Sequence, residues 1–145
     1  MTWRILKLHS AIQFLSLIML SGCAPATVQG LREQHAGHLT FEVGENYQSV
    51  YRKIIMPAKN CWQTGLITAQ MVVQGDLYTD IRQGNVTVAL HGGFGVDTYL
   101  TVDVVALSDS KTRITVYYVF ENQNKQAKTI ERWVKQNSTD CNAPT

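Results

Sequence analysis

From residue 39 onward, the spacing of apolar positions alternates between a period of two and a period near 3.6. Leu39-Thr40-Phe41-Glu42-Val43 alternates and predicts a short strand. Asn46 can cap a helix, and behind it Tyr47, Val50, Tyr51 and Ile54 fall at i, i+3, i+4 and i+7, one helical face. Pro57 ends that helix, kinks it, or starts a further turn carrying Cys61 and Trp62; the pattern leaves the three open.

Four alternating segments follow. Met71, Val73 and Leu77 share one face of the first, with Gly75 between them, and the polar run Asp80 to Asn85 turns the chain. Val86, Val88 and Leu90 form the second, and His91-Gly92-Gly93-Phe94-Gly95 loops out of it. Leu100, Val102, Val104 and Ala106 form the third, and Ser108-Asp109-Ser110 turns again. Ile114, Val116, Tyr118 and Phe120 form the fourth. Short Val-, Thr- and Tyr-rich runs between turn signals predict an antiparallel meander. Its apolar face needs a cover, and a second amphipathic helix through Ala127, Ile130, Trp133 and Val134 supplies one. The expected class is α+β, in the order β-α-β-β-β-β-α: an antiparallel sheet of four to five strands with two helices on one face, spanning residues 39–145 as a single domain.

Residues 1–22, MTWRILKLHSAIQFLSLIMLSG, have a different character. Arg4 and Lys7 precede a mostly apolar stretch from Leu8 to Leu20, the layout of a secretory signal peptide. The stretch falls short of the roughly 20 apolar residues a membrane span requires. It closes on Leu20-Ser21-Gly22-Cys23, which resembles the bacterial lipobox. The resemblance implies cleavage before Cys23 and lipid on its thiol. Ala24, in place of aspartate, resembles the form sorted to the outer membrane, so the expected location is the periplasmic side of that membrane. Two or three acyl chains, at about 0.8 kcal/mol per buried methylene, make a stable anchor. Residues 23–38 then read as the lipidated cysteine and a flexible tether. Some fifteen coil residues would hold the domain about 20 Å from the bilayer.

Removing the signal changes the charge balance. The 13 Lys and Arg become 11 without Arg4 and Lys7, equal to the 11 Asp and Glu, all of which lie beyond residue 22. A neutral chain without a basic block has no electrostatic basis for binding nucleic acid.

Of three cysteines, one is assigned to lipid. Cys61 and Cys141 remain, an even number for an oxidising compartment, and a disulfide is expected. Two unpaired buried thiols, or a reactive Cys61, are the alternatives. Closing so long a loop contributes on the order of 4–5 kcal/mol on the chain-entropy model. Tyr51-Arg52…Cys61-Trp62 together with Trp133…Cys141 resembles a group of short proteobacterial outer-membrane lipoproteins with a Cys-Trp…Trp…Cys pattern.

Candidate chemistry is sparse. His35 and His38 form His-x-x-His, but within the expected tether and with only Glu33 close by, so no metal site is expected. His91-Gly92-Gly93 is similar to an oxyanion loop of esterases, yet no Gly-x-Ser-x-Gly elbow accompanies it, and a hairpin loop explains the glycines. Asp76, Asp80, Asp97, Asp103 and Asp109 are too scattered for a calcium loop. No catalytic residue and no cofactor is expected.

One feature points to binding. The sheet face away from the helices should carry Gln74, Thr87, Tyr99, Thr101, Asp103, Thr115 and Tyr117, drier than a fully solvated face. The leading expectation is therefore a non-enzymatic accessory lipoprotein, attached to the membrane through Cys23 and docking another envelope protein on that face. The alternative is a carrier of a small apolar ligand or lipid between sheet and helices, with a cavity lined by Tyr51, Trp62, Phe120 and Trp133.

Overall fold

The computed structural model describes residues 24–142; the expected signal segment and Cys23 lie outside them. Helix α1 (Val28–Gln34) leads into strand β1 (Gly37–Val43) and helix α2 (Tyr47–Trp62). Strands β2 (Thr64–Leu66), β3 (Ala69–Tyr78), β4 (Gln83–Gly92), β5 (Gly95–Ser108) and β6 (Lys111–Tyr118) follow. A 3-10 turn (Glu121–Gln123) then opens helix α3 (Asn124–Gln136). The strands form one six-stranded sheet in the order β1-β6-β5-β4-β3-β2, every neighbouring pair antiparallel. The α+β class is as expected, with one more strand and one more helix than the pattern predicts.

Both additions have physical reasons. β2 is Thr-Gly-Leu, too short to display alternation, and it lies along β3 as an edge. α1 forms where a flexible tether was expected, over residues 24–38. The Thr27 side chain caps it by accepting from the Gly30 backbone N–H. Leu31, its inward residue, is fully buried. The tether expectation failed because a seven-residue helix with one deeply buried apolar side chain shows no periodicity.

α2 begins as its N-cap implies, with the Asn46 side chain accepting from the Gln48 N–H at 2.9 Å. It runs on through Pro57 to Trp62. Proline cannot donate to the carbonyl four residues back, but Pro57 and Ala58 sit on the buried face, where packing holds the helix together. α2 and α3 cover the same side of the sheet, and Val50, Ile54, Val102, Ile114, Val116, Ile130 and Trp133 form a dry core between them. Full burial of a large side chain such as Trp133 contributes at least about 1.5–3 kcal/mol.

Cys61 and Cys141 are joined by a disulfide across 80 positions, with Cα atoms 5.2 Å apart. It ties the last turn of α2 to the tail beyond α3. Trp62 packs on Trp133 with ring centroids 4.9 Å apart, and the Trp133 indole N–H donates to the Asp140 carbonyl at 2.7 Å. The aromatic pair and the disulfide thus form one clamp.

Candidate functional site

The β4–β5 ladder slips by one residue in its middle. Val88 pairs with Leu100 and Ala89 with Thr98, which leaves Tyr99 as the extra residue of a bulge. A bulge breaks alternation locally and re-aims a side chain. Tyr99 therefore sits beside Leu100 on the helix side, where its ring packs against Phe120 at 5.9 Å. Strict alternation had placed it on the opposite face with Thr101 and Asp103, and the bulge corrects that assignment.

Around Tyr99 lies a cleft of about 260 Å3. Met71, Val88 and Leu100 form its floor, Cys61 and Trp62 border it from α2, Gln123 borders it from the 3-10 turn and Gln126 from the first turn of α3. The volume lies just under the roughly 300–1,000 Å3 usual for drug-sized ligands, so it suits a small molecule. The two glutamines differ. Gln123 Oε1 already accepts from the Val119 and Phe120 N–H groups, both at 3.1 Å. Gln126 Oε1 is buried and has no partner among the described residues. A buried acceptor left unpaired costs about 1–3 kcal/mol. Of the aromatics expected to line such a cavity, Trp62 does so. Tyr51 packs instead against Gly75 and Gly84, Trp133 is wholly buried, and Phe120 reaches the site through Tyr99.

The other face of the sheet is not open where it was expected to be. α1 lies over β5 and β6 there, and Thr101 is fully buried. Arg32 of α1 donates from Nε to Asp103 Oδ2 at 2.9 Å and from Nη2 to Oδ1 at 2.6 Å. The hydrogen bonds to Asp103 raise the Arg32 pKa further above its ordinary value, against a smaller opposing effect of burial. Asn85 Nδ2 donates to Thr101 Oγ1 at 2.8 Å and to Asp103 Oδ1 at 3.0 Å, while Thr87 donates to Asn85 Oδ1 at 2.8 Å. Thr101, Asp103 and Thr87 thus belong to an internal polar network. Thr115 is part-exposed, and its hydroxyl accepts from the exposed Thr40 Oγ1 at 3.2 Å. Tyr117 packs with the His35 and His38 rings at 5.2 and 6.0 Å. Gln74, out on β3, is exposed.

His35, the C-cap of α1, meets the exposed His38 of β1 edge to face, and His35 Nδ1 lies 2.8 Å from the Arg32 carbonyl oxygen. Among the described residues, no three metal-ligating side chains converge. His91 ends in a plain hairpin, with Gly92 paired to Gly95 across the Gly93-Phe94 turn. Burial beside Asp76 raises the Tyr51 hydroxyl above its ordinary range.

No family model matches the chain, and no curated protein sequence matches it. Among solved structures, the chain is similar to norcoclaurine synthase from Thalictrum flavum. A point mutant in complex with a transition-state analogue is 14% identical over 69% of this chain and 91% of that one, with a TM-score of 0.38. The complex with dopamine and hydroxybenzaldehyde is 12% identical over 82% of this chain and 94% of that one, with a TM-score of 0.37. Likeness at this level transfers neither activity nor ligand.

Proposed function

We propose that this chain is a non-enzymatic, lipid-anchored envelope protein that holds a small apolar molecule in the cleft around Tyr99. The anchor reading rests on Leu20-Ser21-Gly22-Cys23 and the apolar stretch before it. Within this reading the attachment is lipid on Cys23 and the location is the periplasmic side of the outer membrane. The ligand reading is carried by one observation: a mostly apolar cleft of about 260 Å3 lined by Trp62, Met71, Tyr99 and Leu100. Its occupant would be apolar and compact. Docking of a partner protein on the opposite face is the weaker reading, because α1 occupies the middle of that face.

Native mass spectrometry of the protein, extracted gently from its own membranes, tests both parts. The expected species carries an acyl mass at Cys23, an intact Cys61–Cys141 bond and a reproducible small-molecule mass. Met71→Trp fills the cleft from β3 and should lose the small molecule while keeping the disulfide. A wild-type species without it, or a variant that retains it, removes the ligand reading. An unacylated chain removes the anchor.

A further inference from the structure

We infer that one end of the sheet, formed by the β2–β3 and β4–β5 hairpin tips, rests against the lipid bilayer. Leu66 pairs with Ala69 and Gly92 with Gly95, so the two tips are Ile67-Thr68 and Gly93-Phe94. Ala69 pairs with Gly92, which sets the tips side by side. Turn chemistry calls for Gly, Asn, Asp or Ser at such corners. Here they carry Ile67 and Phe94, 98% and 111% exposed, flanked by Leu66 at 79% and Val96 at 38%. No charged residue occurs from Thr64 to Gln70 or from Gly92 to Val96. The opposite end differs. Its turns hold Asp80, Asp109 and Ser110, and its apolar residues Tyr78, Ile81 and Leu107 are less exposed than Leu66, Ile67 and Phe94 and lie near the Arg82–Asp109 ion pair.

The start of the described chain selects the occupant. The Pro25 carbonyl accepts from the Thr98 N–H at 2.8 Å, three residues from Gly95. The described chain, which starts one residue after Cys23, therefore begins at the apolar end. Within the described residues only Ala24 to Thr27 precede α1, which begins at Val28 and is docked on the sheet. An acyl anchor at that point draws the two tips to the membrane interface, where exposed Ile and Phe side chains are stabilised by burial among acyl chains. The inference takes the membrane's position from the lipid-anchor reading above. The cleft lies on the same half of the sheet, since Thr64 and Met71, which line it, pair two steps from the β2–β3 tip.

The test is a tryptophan placed at each end of the whole protein, reconstituted in vesicles of phosphatidylethanolamine and phosphatidylglycerol with brominated acyl chains. Emission is read as the difference from the wild-type chain. Ile67→Trp and Phe94→Trp should be quenched and shifted to shorter wavelength, and Ser110→Trp should be neither. Equal quenching at all three positions, or none at Ile67→Trp and Phe94→Trp, overturns the inference. The intact mass of the same sample reports acylation separately. An unacylated chain with a quenched Phe94→Trp removes the anchor and keeps the membrane-facing end. An acylated chain with an unquenched one does the reverse.

Discussion

Arg32 and Asp103, 71 positions apart, meet through two parallel hydrogen bonds on the face of the sheet that the main helices leave uncovered. The forked geometry matters more than the charge. Both side chains are less than one-third exposed, and the same carboxylate accepts a third bond from Asn85. A short helix that forms few contacts of its own is thereby fastened at a fixed position, and Thr101 is sealed beneath it.

Asp103→Ala should cost about 1–3 kcal/mol, because it removes a bidentate charge-assisted pair and leaves Arg32 part-buried without its partner. Urea unfolding measures the loss. Hydrogen exchange should show it concentrated in Val28–Gln34, with the amides of β5 and β6 nearest α1 gaining access to solvent. Exchange that rises evenly across the sheet would show that α1 is not held by this pair.

The clamp at the other end has a different signature. Replacing Cys61 and Cys141 together by serine should lower stability by about 2–4 kcal/mol, mainly by freeing the unfolded chain. The local effect is readable as well. Trp62 borders the cleft and packs on Trp133, so loss of the crosslink should red-shift its emission before global unfolding begins. A two-serine variant with wild-type stability and emission would mean that the aromatic pair alone holds the tail.

Acid should weaken the β1–β6 edge. Lys111 first, then Arg113, hold the Glu42 carboxyl below its ordinary value of 4.5. Its folded pKa is thus depressed, so its contribution is complete above the unfolded value and is lost as pH falls through the folded one. Glu42 is solvent-facing and the effect is modest and salt-dependent. Stability followed between pH 5 and pH 3 should decline less steeply for Glu42→Gln than for the wild-type chain. Identical slopes would assign the acid sensitivity to other carboxylates.

The strands β1 and β3 to β6 and the two large helices were legible because each repeats its apolar spacing over several turns or residue pairs. The helix beginning at Tyr47 and the one through Trp133 both lie where the 3.6 period puts them, and the disulfide follows from cysteine parity. The three-residue β2 was not legible, and neither were three further features. α1 has one fully buried apolar residue, Leu31, which gives no period to detect. The bulge at Tyr99 is a register event between two strands, and neither strand alone records it. The cleft draws on Trp62, Met71, Leu100 and Gln126, residues from four elements that only the packing brings together.

The position of β1 has a consequence for how the chain comes together. β1 sits at one edge of the sheet with β6 as its neighbour, so Gly37 waits for Tyr118 and Val43 for Thr112. Synthesised from the amino terminus, the first strand emerges long before its ladder exists, and a high contact order slows the closing step. Until then β1 and its exposed backbone are open to pairing with another copy. The last step of sheet formation, pairing of β1 with β6, therefore also closes the edge most open to another chain.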